Sequence, residues 1–288
     1  MKLAELKLQF FKELANLYPK EESRTFFNWI CQQQLGLKPF EISVKGEQTL
    51  KDEQLRFFEK ALADLKLEKP IQYILGKSYF YSMEFMVNEH TLIPRPETEE
   101  LVSMIIEDNK THPRPLRILD IGTGSGCIPI SLAKHLTHAE LYAIDISKDA
   151  IKLAKENAMK NQVVVRFGEI DILKASLLSN LFTKVDQFEV IVSNPPYVRE
   201  LEKATMKNNV LKYEPQSALY VSDENPLLFY EQITKLAACH LKTNGRLYFE
   251  INQYLGDQTK DLVINAGFKE VEVIKDTFGN DRMLSAVR

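Results

Sequence analysis

Cysteine is scarce in this chain of 288 residues. Its three cysteines, Cys31, Cys127 and Cys239, lie far apart, are odd in number, and form no CxxC pair or Cys/His cluster. The histidines include no HExxH pattern, the spacing with which many hydrolases bind zinc. These absences argue against a disulfide framework and against a metal site, so we expect neither.

Long apolar runs and an excess of one charge are also missing. No apolar stretch approaches the roughly 18 to 20 residues that a helix needs to cross a membrane. Residues 1–19 space their apolar side chains at helical intervals, unlike the continuous apolar core of a signal peptide, so a cytoplasmic location without a membrane partner is expected. The formal net charge is −3, and residues 1–70 carry 12 Lys or Arg against 11 Asp or Glu. No nucleic-acid-binding surface is therefore expected.

What is present is the composition of a globular protein, with a length that allows one large and one small domain. The first 70 residues show helical patterns and no strand pattern. One helix is predicted within 1–19 and a second from Glu21, with Gly36 as its C-cap. A third is predicted near Thr49, whose spacing to Asp52 resembles a capping arrangement.

After this helical region, an aromatic stretch at 78–87 predicts a β-hairpin, and a helix is predicted over 99–107. Apolar strands then alternate with helices, which favours an α/β fold with a mostly parallel sheet. The predicted strands are 117–120, 140–145, 163–167, 188–193, 245–250, 270–275 and 283–287. A short turn containing Gly279 and Asn280 joins the last two, which permits only antiparallel pairing. The predicted domains are 1–72, helical; 73–95, a hairpin linker; and 96–288, the α/β domain.

A glycine-rich segment, Gly122-Thr123-Gly124-Ser125-Gly126, follows the first strand of this sheet and opens a helix. In such a turn the backbone N–H groups can approach a ligand closely. The spacing is GxGxG, and Cys127 stands where a dinucleotide fingerprint carries Gly or Ala, so NAD is a weaker fit.

Acidic residues stand at the ends of the next two strands. Asp145 follows the glycine segment by about the 20 residues at which an acidic side chain meets ribose hydroxyls in doubly wound folds. Asp171 closes the third strand region, where it suggests a contact to an adenine amine with Ile172 packing on the ring. Glycine turn, Asp145 and Asp171 in this order predict a nucleoside-binding site.

The tetrapeptide Asn194-Pro195-Pro196-Tyr197 directly follows the strand at 188–193. Two prolines cannot donate backbone hydrogen bonds, so they end the strand and leave carbonyl oxygens free for a ligand. An NH₂ group held by the Asn194 side-chain oxygen and the Pro195 carbonyl cannot turn away from an electrophile, and Tyr197 would stack on its plane. This predicts alkylation of an amide or amine nitrogen, with Asn194, Pro195 and Tyr197 in catalytic roles.

Together these segments resemble the class I S-adenosylmethionine-dependent methyltransferases that modify an amide or exocyclic nitrogen. The resemblance narrows at 92–99 (LIPRPETE) and 70–76 (PIQYILG), which are similar to signatures of the protein-(glutamine-N5) methyltransferases of peptide chain release factors. Residues 213–219 and the C-terminal Asp276, Gly279, Asp281 and Arg282 are similar to that family too.

This resemblance implies a seven-stranded Rossmann-like methyltransferase sheet with its last strand antiparallel, and S-adenosylmethionine as the cofactor. The implied cofactor-binding residues are Gly122, Thr123, Gly124, Ser125, Gly126, Asp145, Asp171, Ile172 and Asn194. The implied partner is a class I release factor, methylated on the glutamine of its Gly-Gly-Gln motif. Residues implied to contact it are Asn194, Pro195, Pro196, Tyr197, Arg95 and Glu97. A monomer is expected, whose helical domain grips the substrate outside the active site.

Three alternatives stay open at the level of sequence. Glutamine methylation of a ribosomal protein and methylation of an exocyclic amine of DNA or RNA would use the same tetrapeptide at 194–197. A cofactor-binding scaffold without catalysis is a third, against which the intact Asn194 and glycine turn argue. One departure from the family is Asn252, where many members carry Gly; it lies in a strand-to-helix loop, so little effect on the chemistry is expected.

Overall fold

The computed structural model describes residues 1–112, 115–175, 182, 185 and 187–288. The chain forms two compact units. The first comprises Met1–Gly76 and Lys207–Tyr213, and the second comprises Lys77–Met206 and Glu214–Arg288. Among the described residues, no helix has the length and apolar character needed to cross a membrane.

The described helices, in chain order, are α1 (Leu3–Leu14), α2 (Lys20–Leu35), α3 (Pro39–Val44), α4 (Asp52–Lys66), α5 (Ile71–Leu75), α6 (Pro96–Asn109), α7 (Cys127–His135), α8 (Lys148–Lys160), α9 (Asn208–Tyr213), α10 (Leu228–His240) and α11 (Gly256–Asn265). The described strands are β1 (Lys77–Phe80), β2 (Met83–Met86), β3 (Leu116–Ile121), β4 (Ala139–Asp145), β5 (Val165–Glu169), β6 (Phe188–Ser193), β7 (Val198–Arg199), β8 (Tyr220–Val221), β9 (Leu241–Glu250), β10 (Lys269–Lys275) and β11 (Asp281–Val287). Short 3-10 helices cover Glu200–Thr205 and Gln216–Ala218.

The first unit is helical and is held by an apolar core of its own. Leu6, Phe10 and Leu14 of α1 pack in this core, which also takes in side chains from α2 and α4. Helix α2 ends as predicted, with Gly36 in the left-handed conformation at φ 67°. Helix α9 belongs to this unit although it lies far along the chain.

The capping arrangement predicted for α4 is wrong. The helix begins at Asp52 with Lys51 as its N-cap, and the Lys51 N–H donates to Oε1 of Gln54 at 2.9 Å. Thr49 instead forms an isolated β-bridge with Lys2. The free N–H of the N-cap residue is therefore satisfied by the amide side chain three residues later, and not by a capping pair of Thr49 and Asp52.

The second unit is built on a seven-stranded sheet in the order β10-β11-β9-β6-β3-β4-β5. Strand β11 is antiparallel to both neighbours, whereas the strands from β9 to β5 are parallel. This confirms the predicted α/β fold with an antiparallel last strand, and the predicted hairpin is present as β1 and β2. The central strands are buried along almost their whole length, as expected for strands covered by helices on both faces.

The register of the parallel strands brings their carboxyl ends to one edge. Ile121 at the end of β3 pairs with Ile144 on one side and with Ser193 on the other, and Ser193 pairs with Phe249 of β9. The Ser193 hydroxyl also donates to the carbonyl oxygen of Ile121 at 2.6 Å. The segments that follow these strands therefore start side by side, where open α/β sheets bind their ligands.

Candidate active site

A cavity of about 330 Å³ lies in the second unit at this carboxyl edge. Its lining includes the glycine turn after β3, the segments after β4 and β5, and the Asn-Pro-Pro segment after β6. Its volume lies at the lower end of the range for sites that bind small molecules and cofactors.

The glycine turn is shaped by three left-handed residues. Gly122, Gly124 and Gly126 have φ values of 77°, 53° and 81°, a conformation that glycine adopts without the steric cost of a side chain. Gly122, Thr123, Gly124 and Ser125 line the cavity. Gly126 is instead the N-cap of α7, where an added Cβ would lie 2.9 Å from Cδ1 of Ile130.

Asp145 reaches across to this turn from the end of β4. Its Oδ2 accepts a hydrogen bond of 2.8 Å from the Gly124 N–H, and its Oδ1 accepts one of 2.9 Å from the Ser147 N–H. Burial raises the pKa of this carboxyl, while these backbone donors oppose the rise. Each carboxylate oxygen has a second lone pair, so Asp145 can still accept from two hydroxyl groups of a ligand.

Asp171 and Ile172 form the next part of the wall. Oδ1 of Asp171 accepts from the Leu173 N–H at 3.1 Å, and Oδ2 pairs with Nζ of Lys174 at 2.9 Å. The hydrogen bond from Lys174 lowers the pKa of Asp171, so this carboxylate is an available acceptor. Ile146 lines the cavity beside them and is 59% exposed, a large apolar surface for the face of a planar ring.

Asp120 lies beneath the glycine turn and was not among the predicted site residues. Its carboxyl group is fully buried, and neither oxygen has a hydrogen-bond partner within the part of the chain that the structure describes. Burial raises the pKa of Asp120 to about 7. Asp120 is not among the described lining residues of the cavity, and the nearby Thr123 side chain opposes the rise of its pKa.

Asn194 lines the cavity at the end of β6. Its Nδ2 donates to Oγ1 of Thr98 at 3.3 Å, and the Thr98 hydroxyl donates to Oε2 of Glu250 at 2.6 Å. Thr98 belongs to α6 and Glu250 ends β9, so three elements meet at this amide. Because Nδ2 is taken by Thr98, Oδ1 of Asn194 is left for a ligand.

Pro195 and Pro196 line the same cavity, whereas Tyr197 is not among its described lining residues. The Tyr197 hydroxyl donates to Oε1 of Glu250 at 2.9 Å, and its ring packs against the main core of this unit. The stacking role predicted for Tyr197 stays a prediction; its observed contact secures the end of the segment.

Asn252 holds the same segment from the other side. Its Nδ2 donates to the carbonyl oxygen of Tyr197 at 3.0 Å and to Oε2 of Glu202 at 2.8 Å. A glycine at this position would lack both bonds, so the departure noted in the sequence has a structural consequence for the segment after β6.

Arg95 also lines the cavity, but its guanidinium forms an ion pair of 2.6 Å with Oε1 of Glu214. The Glu214 side chain is only 1% exposed, and its Oε2 accepts from the Ile93 N–H at 3.2 Å. Glu97, the other predicted substrate contact, lies in the first turn of α6 and is not among the described lining residues. The pair of Arg95 and Glu214 therefore fixes the segment before α6.

Thr98, Glu250 and Asp120 were missed by sequence reasoning as site residues. Thr98 lies within the segment 92–99, and Asp120 lies two residues before the glycine turn. Their closeness in sequence to predicted site residues was therefore a signal that could have identified both. Glu250 carried only the signal of an acidic residue that ends a buried strand, which also describes many structural carboxylates.

Comparisons with known proteins agree with this architecture. Residues 6–76 match the family described as PrmC N-terminal domain, and residues 98–218 match the Methyltransferase small domain. The chain is 47% identical to a release factor glutamine methyltransferase of Flavobacterium psychrophilum, over 99% of this chain and 98% of that protein. It is 41% identical to a protein of the same name from Bacteroides thetaiotaomicron, over 96% and 97% of the two chains. A methyltransferase structure from Pyrococcus furiosus is similar in fold, with a TM-score of 0.50 at 17% identity over 82% of this chain and 98% of that one.

Proposed function

Because the chain belongs to the family of release factor glutamine methyltransferases, we propose that it methylates the side-chain amide nitrogen of a protein glutamine. The donor is S-adenosylmethionine, and the acceptor is the glutamine of the Gly-Gly-Gln motif in class I peptide chain release factors. The reaction would take place in the cytoplasm, where translation ends.

The observation that carries this proposal is one cavity with two kinds of wall. The glycine turn with Asp145 and Asp171 offers backbone and carboxylate groups that suit a nucleoside, and Asn194 and Pro195 offer oxygen acceptors that suit an NH₂ group. A nucleotide site alone would explain the first wall but not the second.

S-adenosylmethionine, when bound, supplies an electrophilic methyl group on a sulfonium that leaves as a neutral thioether. Asp145 would accept hydrogen bonds from the ribose hydroxyls through its remaining lone pairs. Asp171 would accept from the adenine amine, with Ile146 and Ile172 against the ring.

The acceptor amide needs more help than the donor, since its nitrogen lone pair is delocalised into the carbonyl. Oδ1 of Asn194 can accept one of its N–H protons. The Pro195 carbonyl can accept the other, because it takes no backbone hydrogen bond from the described residues. Two such acceptors favour the positive charge that develops on nitrogen and fix the direction of its attack. The methylated nitrogen is strongly acidic and can lose its proton to solvent, so a histidine base is not required.

The first unit would hold the release factor away from the reacting atoms. Its support is a match to a domain that accompanies this catalytic domain in the family, together with its separate core. The test is a truncated chain that starts at residue 77, whose cooperative unfolding would show that it is folded. If this folded chain methylates an intact release factor at the full rate, the role is wrong.

The direct test is incubation with S-adenosylmethionine and a purified class I release factor, followed by mass spectrometry of the Gly-Gly-Gln peptide. We expect the mass of one CH₂ group to be gained on that glutamine. The Asn194→Ala variant should lose this transfer and keep its cofactor affinity in calorimetry. Methylation of a ribosomal protein or of RNA, with the release factor unmodified, would refute the assignment of the substrate.

A further inference from the structure

We propose that Thr98 is a positioning residue: with Glu250 as its anchor, it determines which end of the Asn194 amide faces the methyl acceptor. The proposal deepens the function proposed above and rests on it for the identity of the acceptor. It concerns three side chains that are distant in sequence: Thr98 lies 96 residues before Asn194 and 152 residues before Glu250.

The direction of donation along the hydrogen bonds that link Asn194, Thr98 and Glu250 is set at Glu250. Both of its carboxyl oxygens accept from hydroxyl groups, Oε2 from Thr98 at 2.6 Å and Oε1 from Tyr197 at 2.9 Å. The pKa of Glu250 is raised, because burial, together with the charge of Glu97, outweighs the two hydroxyls and the Arg282 guanidinium, which lower it. The acceptor role of this carboxyl group rests on the hydrogen bonds themselves: a hydroxyl donates to each of its oxygens, so neither oxygen donates to Thr98 or Tyr197.

The direction then passes to Thr98. A threonine hydroxyl has one proton, and in this arrangement that proton points to Glu250. Oγ1 of Thr98 can therefore only accept from its other neighbour, the Asn194 amide at 3.3 Å. Only the NH₂ end of that amide can donate, so Nδ2 faces Thr98 and Oδ1 faces the cavity.

This polarity matters because packing alone cannot set it. The oxygen and the NH₂ group of an asparagine side chain have nearly the same size, so hydrogen bonds decide between the two orientations. With the amide reversed, an NH₂ group would face the NH₂ group of the acceptor. The acceptor would lose one of its two oxygen partners, and the orientation of its nitrogen would no longer be fixed.

The test compares three single variants. Thr98→Val removes the hydroxyl at similar shape, and Thr98→Ser keeps it. Thr259→Val is the matched control, since Thr259 is also fully buried and its hydroxyl donates to a backbone carbonyl, that of Leu255, at 2.8 Å. Measured quantities are kcat and KM for methyl transfer to a release factor, the Kd for S-adenosylmethionine by calorimetry, and the melting temperature.

We expect Thr98→Val to lower kcat by about 10- to 100-fold, the effect of losing one oriented hydrogen-bonding group. The cofactor Kd should stay within about twofold of the wild-type value, since the orientation of the Asn194 amide concerns the methyl acceptor. Thr98→Ser should recover most of kcat, and Thr259→Val should retain it. A Thr98→Val enzyme with normal kcat overturns the proposal. So does a loss of kcat that Thr98→Ser fails to restore or that a loss of cofactor affinity accompanies equally.

A second measurement does not depend on activity. The side-chain NH₂ resonance of Asn194, assigned by its absence in Asn194→Asp, should shift in Thr98→Val and stay in place in Thr98→Ser and Thr259→Val. If the wild-type protein methylates no release factor but this shift is present, the proposed function fails and the orienting role of Thr98 stands. If the resonance does not respond to Thr98→Val, the orienting role is wrong whatever the substrate.

Discussion

Asn157 and Met86 exchange two hydrogen bonds: the Met86 N–H donates to Oδ1 at 2.7 Å, and Nδ2 donates to the Met86 carbonyl at 3.0 Å. Nδ2 also donates to the carbonyl oxygen of Ser125 at 2.9 Å. One fully buried side chain on α8 thus joins the β1–β2 hairpin to the glycine turn of the cavity. The hairpin is thereby part of the support of the glycine turn that lines the cavity.

We therefore expect Asn157→Ala to lower the free energy of unfolding by about 3 kcal/mol, because it leaves three backbone groups without partners. Lys155→Ala, an exposed position on the same helix, should change it by less than about 0.5 kcal/mol. Urea denaturation of both variants beside the wild type measures the difference. Equal, small effects would show that water or nearby groups satisfy the backbone groups that Asn157 now binds.

A second prediction concerns Asp145 and cofactor binding. Asp145→Asn should weaken the affinity for S-adenosylmethionine by about 10- to 100-fold, since an amide end would face backbone N–H groups that need an acceptor. Asp149→Asn makes the same change in charge at an exposed position on α8 and should leave the affinity nearly unchanged. Isothermal titration calorimetry gives both affinities. Equal losses of affinity in the two variants would show that the effect comes from the change in net charge alone.

Two glycines of one turn should respond differently to alanine. At Gly124 an added Cβ meets nothing within 4 Å, so the cost to stability is that of a left-handed alanine, about 1 to 2 kcal/mol. At Gly126 the Cβ would also lie 2.9 Å from Cδ1 of Ile130 and 3.1 Å from Cβ of Ala154, which adds about 1 to 3 kcal/mol of overpacking.

Gly124→Ala should consequently fold and mainly lose cofactor affinity, because Gly124 lines the cavity and its added methyl group would stand in open space there. Gly126→Ala should mainly lose stability. Thermal unfolding and calorimetry on each variant separate the two effects, and the reverse order of melting temperatures would contradict the structure.

A fourth prediction concerns pH and Asp120. The pKa of this carboxyl is raised from 3.8 to about 7 by burial. Between these values the unfolded chain has lost the proton and the folded chain keeps it. The free energy of unfolding therefore falls as the pH rises through this window, by on the order of a few kcal/mol, and levels off above it.

Asp120→Asn lacks this titration, so its stability relative to the wild type should increase from about pH 4 to pH 7 and then stay constant. Urea denaturation at a series of pH values gives the difference between the two proteins. A difference that does not vary with pH would mean that Asp120 is already ionised in the folded protein.

The sequence by itself determined the seven strands of the main sheet and several of the helices, because the signals for them are local. Strand β6 is predicted with its observed bounds, since an uninterrupted apolar run before two prolines has few other solutions. Gly36 ends α2 for an equally local reason, its left-handed φ. Asp145 and Asn194 were found because Asp145 ends one strand and Asn194 directly follows another, and the carboxyl ends of parallel strands meet at one edge.

Only the tertiary structure decided which side chains touch. Thr98 and Asn194 come from a helix and a strand end that the sequence treats as separate motifs, and their polarity depends on Glu250, 152 residues from Thr98. Arg95, predicted to face the substrate, found a buried partner in Glu214. A hydrogen bond between distant segments depends on how strands are ordered in the sheet and how helices pack on it. The periodicity of apolar residues does not specify that arrangement, because it depends on how the whole core is buried.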